Sequence, residues 1–143
     1  MNEIAAAPSV GSLMFGLLHA AQVVDGRMEE AFASVGLSTA RFGVLGKLVQ
    51  AGEPLPLSEI AARLSCVRSN MTQLVDRLEA DGLVRRVNDT DDRRSIRAEL
   101  TPAGRAQHLA GAAQLDAVQG WFDSILDGTE QAALECAVTK LGQ

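Results

Sequence analysis

The sequence predicts a mainly α-helical protein with one small β-hairpin, on three observations. Residues 57–81 hold two short amphipathic helical stretches, LSEIAARL and RSNMTQLVDRLEADG, separated by a tight turn. Two strand-like stretches, LVRRV and SIRAEL, follow around the polar segment NDTDDRR. Longer helical patterns precede and follow this unit, and the chain has no Tyr and four Phe, a composition that suits a helical core of Leu, Val and Ala. Helix, turn, helix, strand, wing and strand is the order of a winged helix-turn-helix, here flanked by N- and C-terminal helices.

In chain order, Ser12 is the candidate N-cap of a first helix, where Leu13, Leu17, Ala20, Val24, Met28, Ala31 and Val35 keep helical spacing until Gly36. Ile60, Ala61 and Leu64 share one face of the helix at residues 57–64. Met71, Val75 and Leu78 share another in the helix from about Arg68 to Asp81, and both faces are expected to pack inward. Gly82 stands where a cap with positive φ would stop that helix. In the returning strand Ile96, Ala98 and Leu100 alternate with Arg97 and Glu99, the period of a half-buried strand. A connection so dense in Asn, Asp and Arg is a solvated hairpin tip, the wing. Thr101 caps the next helix with Pro102 at its first position, and Leu115, Val118, Phe122, Ile125 and Leu126 form its stripe. Thr129 starts a last helix bearing Ala133, Leu134, Ala137, Val138 and Leu141.

A chain of 143 residues is long enough for one domain that buries roughly two thirds of its unfolded surface. Its start, MNEIAAAPSVGSL, carries an acid and no Lys or Arg, unlike a secretory leader, and no apolar run approaches bilayer-spanning length. A cytoplasmic protein without a membrane partner is expected. Cys66 and Cys136 form no CxxC or Cys/His spacing, which predicts neither a disulfide framework nor a metal site. Cys136 falls on the apolar stripe of the last helix and reads as structural; His108 reads as a surface residue.

The net charge of -5 would be repelled by phosphate if it were evenly spread. It is not: residues 63–97 hold eight arginines against six acids, a local charge of +2, while the remainder holds five bases against twelve acids, or -7. Such asymmetry is expected of a protein with one DNA-binding edge. Opposite its buried face, the helix beginning at Arg68 exposes Ser69, Thr72 and Asp76, and beside them Asn70, Gln73 and Arg77. Asn and Gln can pair with adenine, Arg with guanine, and hydroxyls with a base edge or phosphate. The residues near the helix N-terminus reach deepest, so Arg68, Ser69, Asn70 and Gln73 are the candidates for base contacts and Arg77 for phosphate. Asp76 is expected to orient Arg77 or Arg68. Of Arg85 and Arg86, on the strand leading into the wing, one is expected to face the protein.

The runs LSTARFGVLGKL, LPLSEIAARLSCVRSNMTQLVDRLEADGLVRRV and NDTDDRRSIRAELTPAGR, about residues 37–105, resemble in order and spacing the MarR-type transcriptional regulators. The resemblance implies three regions: an N-terminal dimerisation helix over 1–36, a winged DNA-binding lobe over 37–101, and C-terminal dimerisation helices over 102–143. It implies a homodimer, with Trp121 and Phe122 as possible interface anchors, and a pseudopalindromic operator whose half-sites lie roughly 10 base pairs apart. It also implies that Arg94 enters the minor groove, that Asp92 steadies the hairpin, and that Arg93 and Arg97 meet phosphate or the minor groove, where guanidinium groups respond to groove width. Repression is the family's usual mode, and its members often respond to small aromatic or phenolic anions bound between the dimerisation helices and the lobe. His19, Gln22, Arg27 and Arg41 are the polar candidates for that cleft. The family's other mode is thiol-based; here Cys66, in the turn before the recognition helix, is the candidate. Val67 departs from the family, which places a small polar N-cap there.

Two other functional classes make different demands on the sequence. An enzyme would need a nucleophile with its base, paired acids, a phosphate-cradling loop or a metal cluster; none is found, and no catalytic residue or cofactor is expected. A winged fold that has become a protein-interaction module is the other alternative, and the presence of Arg68, Arg77, Arg93 and Arg94 together favours DNA over it.

Overall fold

A computed structural model describes residues 10–65, 68–89, 91 and 95–143, with backbone alone at Val10, Arg68 and Ser69. In chain order it has α1 (Val10–Ala33), α2 (Thr39–Ala51), β1 (Leu55–Pro56), α3 (Leu57–Arg63), α4 (Arg68–Ala80), β2 (Val84–Asn88), β3 (Ile96–Leu100), α5 (Pro102–Ile125) and α6 (Gly128–Leu141). The sheet is antiparallel in the order β1-β3-β2. The third strand, β1, was not foreseen: it is two residues long, too short for a period, and it ends at Pro56, which only an edge strand tolerates. Helix-turn-helix and hairpin are as the residue pattern implied.

The core sits almost entirely in the lobe. Among the described residues every fully buried apolar side chain but Phe32 lies between Leu37 and Ala98, with Val44, Leu45, Ile60, Met71, Val75 and Leu78 at its centre. Met71, Val75 and Leu78 are 0% exposed, so α4 is seated by three consecutive turns of one face. At its end Gly82 adopts φ 75, its N–H donates to the Glu79 carbonyl, and the Leu83 N–H donates to the Leu78 carbonyl. That is the reciprocal closure of a Schellman turn, with Leu83 packed over the helix it ends. Gly36, at φ 76, closes α1 in the same way onto Ala33 and Phe32.

Helix α5 is tied to this corner. The Thr101 N–H donates to the Leu83 carbonyl at 3.2 Å, its hydroxyl donates to the Gly82 carbonyl at 2.7 Å, and the same oxygen accepts from the Gly104 N–H at 3.0 Å. Gly104 then passes so close to the lobe that a Cβ there would stand 2.0 Å from the Leu83 carbonyl oxygen. One turn further along, His108 stacks on Phe42 of α2 at 4.9 Å, and Phe42 stacks on Phe32 of α1 at 4.6 Å. Gly111 makes room for Phe42, since a Cβ would meet its ring at 2.7 Å. Three rings from α1, α2 and α5 thus join the flanking helices to the lobe.

Several local expectations are corrected. Helix α1 already runs through Ser12, so Ser12 is no cap. Helix α6 starts at Gly128, one residue before Thr129, because Asp127 accepts from the Glu130 N–H while Glu130 reaches back to the Asp127 N–H, a full capping box. Ile96 is 43% exposed, since β3 extends past the core towards the wing. His108 is not a surface residue but half-buried in the ring stack; removal from water, and then the charge of Arg105, hold its pKa below the ordinary histidine value. Cys136 is exposed, because α6 has no buried residue in this single chain.

The flanking helices leave apolar faces in water. Leu13, Met14, Phe15 and Leu18 of α1 and Leu141 of α6 are each more than half exposed. No helix of the described residues is long and apolar enough to cross a membrane.

Gly104→Ala is expected to destabilise the protein by about 2 kcal/mol or more, because backbone on both sides must move to admit the methyl group. Urea unfolding checks this; a midpoint within error of the parent would mean that α5 does not depend on that close approach.

Candidate nucleic-acid interface

Helix α4 presents its polar side outward because its apolar residues fall on one face. At 3.6 residues per turn, with Met71, Val75 and Leu78 pointing inward, Gln73 lies nearest the outward pole. Arg77 and Asp76 flank it, with Asn70 displaced towards α2 and Thr72 towards β2. Asn70, Thr72, Gln73, Asp76 and Arg77 are all exposed. Arg68 and Ser69 form the first turn of α4.

The acids of this helix are committed to arginines on neighbouring elements. Arg86 of β2 crosses to α4, where its guanidinium donates to Asp76 and, at 3.0 Å, to Glu79; its backbone N–H donates to Glu79 at 2.8 Å. The Arg86 N–H first of all, with its guanidinium, holds the Glu79 carboxyl below its ordinary value of 4.5. Among the described residues Asp76 therefore pairs with Arg86 and not with Arg77, the partner that the sequence had suggested beside Arg68, whose side chain lies outside the described residues. Of the arginine pair, Arg86 faces the protein, while Arg85 lies outward against Glu99, its cross-strand partner. Among the described residues Arg77 enters no ion pair.

At the base of the wing, Asp89 accepts from the Asp91 N–H at 3.1 Å and from Arg97 at 3.0 Å, and both keep its carboxyl below 3.8. Arg97 also donates to the Pro54 carbonyl at 3.3 Å. Its guanidinium thus braces the hairpin to the segment before β1. The bracing acid seen here is Asp89. Asp92, Arg93 and Arg94 lie outside the described residues, as do Cys66 and Val67.

The four polar candidates for an effector cleft do not converge. Arg27 lies over the Trp121 ring, 3.9 Å from its centroid, at a shallow cavity of about 320 Å³ between α1 and α5 that Glu30, Ser34, Gln114 and Val118 also line. His19 and Gln22 are exposed on α1 and do not line it. Arg41 instead ion-pairs with Asp81 at 3.1 Å, at the C-terminal end of α4.

Sequence reasoning missed Glu79, Asp89 and the Arg41–Asp81 pair. Asp76 and Glu79 meet Arg86 across a reversal of chain direction, Asp81 meets a residue forty positions earlier, and neither spacing leaves a periodic signal. Asp89 was one acid among three in the wing segment.

A family model described as the MarR family matches residues 37–96. The HTH-type transcriptional repressor MdtR of Bacillus subtilis (strain 168) is 34% identical over 124 residues, 85% of this chain and 78% of that protein. The HTH-type transcriptional repressor YetL of the same organism is 35% identical over 96 residues, 66% of this chain and a little over half, 58%, of YetL. Among solved structures the chain is similar to CouR from Rhodococcus jostii RHA1 bound to p-coumaroyl-CoA, with 26% identity, a TM-score of 0.75, and 96% and 95% of the two chains covered.

The depressed pKa of Glu79 has a defined consequence. Its carboxylate is favoured in the folded state, so its contribution is whole above pH 4.5 and is lost as the pH falls below that value. The thermal midpoint of the parent should drop more steeply on acidification below pH 4.5 than that of Glu79→Gln. Parallel curves would mean that the pair with Arg86 adds nothing to stability.

Proposed function

This chain belongs to the MarR family of transcriptional regulators, and from that premise we propose that it acts as a homodimeric repressor of a pseudopalindromic operator, released by a small aromatic or phenolic effector. The observation that carries the reading is the outer surface of α4. Asn70, Gln73 and Arg77 stand exposed on a helix whose inner face is fully buried, and the neighbouring acids Asp76 and Glu79 are occupied by Arg86. In this reading α4 enters the major groove. Arg68, Ser69, Asn70 and Gln73 meet base edges, Thr72 and Arg77 meet phosphate or a base edge, and Arg93 and Arg94 take the wing into the minor groove with Asp92 as support. Arg97 steadies the wing from behind, as its bonds to Asp89 and Pro54 suggest.

The apolar surface that α1, α5 and α6 leave uncovered supports the dimer. Residues 1–36 and 102–143 form the dimerisation arms and 37–101 the DNA-reading lobe. Two lobes related by a dyad would read half-sites about one helical turn, or 10 base pairs, apart. CouR, a structural neighbour, is bound to p-coumaroyl-CoA, which supports an aromatic effector here. Arg27 and Trp121 are the residues of this chain most suited to such a ligand, by charge and ring stacking. An effector releases DNA only if it prefers a spacing of the two α4 helices that the operator does not.

Sedimentation should give twice the mass of the chain, and mobility shifts should show specific binding to DNA upstream of the coding region, released by one member of a panel of phenolic acids and not by peroxide. A monomer, or no specific shift at low salt, would overturn the proposal. Two substitutions separate the roles of helix and wing. Arg94→Ala should weaken binding to every sequence and lower the salt slope by about one. Gln73→Ala should cost about 1–3 kcal/mol at one position of each half-site and relax the preference there. An unchanged salt slope for the first would remove the wing from the mechanism.

A further inference from the structure

Helix α4 is gripped on both flanks by arginines that do not belong to it. On the wing side, Arg86 holds Asp76 and Glu79. On the other side, Arg41 of α2 holds Asp81 at 3.1 Å, with the Arg41 side chain 20% exposed and that of Asp81 51% exposed. Five residues separate Asp76 from Asp81, which at 3.6 residues per turn places them about 140° apart around the axis, with Gln73 between them on the outward side. The two grips therefore oppose each other in rotation about the helix axis.

The Arg41 end is built, not incidental. Asp81 follows the last turn of α4, where the unpaired carbonyls already present negative charge, so a carboxylate there is unfavourable until a cation sits beside it. Arg41 supplies that cation from a firmly set position. Ser38 caps α2 by accepting from the Arg41 N–H at 3.2 Å, and Glu29 of α1 accepts from the Thr39 N–H at 3.1 Å. The first turn of α2 is thus tied to α1 on one side and to the end of α4 on the other.

We infer that Arg41 is a positioning residue for DNA reading: through Asp81, and against Arg86, it sets the rotation of α4 about its own axis and hence which base edges Gln73 and Asn70 reach. The inference rests on the reading above, in which α4 enters the major groove. The buried face of Met71, Val75 and Leu78 fixes where the helix lies, and the two ion-pair grips fix the remaining degrees of rotation. A rotation of about 10° moves a side-chain tip roughly 6 Å from the axis by about 1 Å, enough to break a paired hydrogen bond to a base. An exposed ion pair adds little to stability, so the effect of losing it falls on sequence preference more than on folding.

The test begins with the duplex that the parent protein selects from a random pool. Affinities for that duplex, its single-base variants and an unrelated duplex are then measured for the parent, Arg41→Ala, Asp81→Asn, and the exchanged pair Arg41→Asp with Asp81→Arg. The single substitutions should keep the affinity for unrelated DNA within about twofold and lose about three- to fivefold in preference for the selected duplex, the most that an exposed ion pair can supply by holding the helix in place. The exchanged pair should regain most of that preference. An unchanged preference, or an equal loss on every duplex, would overturn the inference, the second by making Arg41 a plain source of positive charge. Asp81→Asn keeps the side-chain shape at an exposed position, which guards against a variant that does not fold. Residual dipolar couplings of the α4 amides in the free protein decide the structural half: their phase relative to β2 and β3 should shift in Arg41→Ala, and an unshifted phase overturns the inference by itself. If the parent selects no duplex, the regulator reading fails separately, and the couplings still decide whether Arg41 sets the helix.

Discussion

The corner at Gly82 is the constraint on which the rest of the structure depends. There α4 ends, β2 begins and α5 docks, within a few residues of backbone. Gly82 supplies the positive φ that lets Leu83 turn back over Leu78. The carbonyls freed at the turn are not left to water: Gly82 accepts from the Thr101 hydroxyl and Leu83 from the Thr101 N–H. Because Thr101 is also the N-cap of α5, one residue joins the end of α4, the start of β2 and a flanking helix. Gly104 is the steric condition for that junction, since any side chain there would strike the Leu83 carbonyl.

From this corner the position of the outward surface follows. Three fully buried residues seat α4, and Arg86 on the strand that leaves the corner reaches back to Asp76 and Glu79. These pairs also bear on how an acidic protein would meet the polyanionic partner proposed for it. The carboxylates nearest the outward face of α4 are paired within the fold, whereas Arg77 among the described residues is not. Local pairing matters here more than net charge, because screening shortens the reach of the distant acidic surface to about one Debye length, roughly 8 Å at physiological salt.

The arms follow a different logic from the lobe. The lobe buries its apolar residues within one chain. Helices α1 and α5 contribute Phe32, the ring of His108 and two close-packed glycines to it, and with α6 they turn much of their remaining apolar surface outward. The stack of Phe32, Phe42 and His108 is where the two parts meet. The first turn of α2 receives a second link from Glu29.

Local sequence determined a large part of this protein. The periodicity of Met71, Val75 and Leu78, the Gly82 stop, the alternation in β3 and the Thr101–Pro102 start of α5 were legible because each depends on residues within a few positions of one another. The exposed residues of α4 were legible for the same reason: a buried face defines its opposite. What the tertiary structure decided is which charges meet. Arg86 with Asp76 and Glu79, Arg41 with Asp81, and Arg97 with Asp89 and Pro54 join residues whose proximity exists only after the chain has reversed direction. For that reason the intrachain partners of Arg97 and Arg41 left no local signal. The close approach at Gly104 and the burial of His108 were hidden likewise, since a glycine or a histidine on a helix shows its neighbours only when another element packs against it. Pattern along the chain sets the elements and their faces; contact between distant segments assigns each polar side chain its partner.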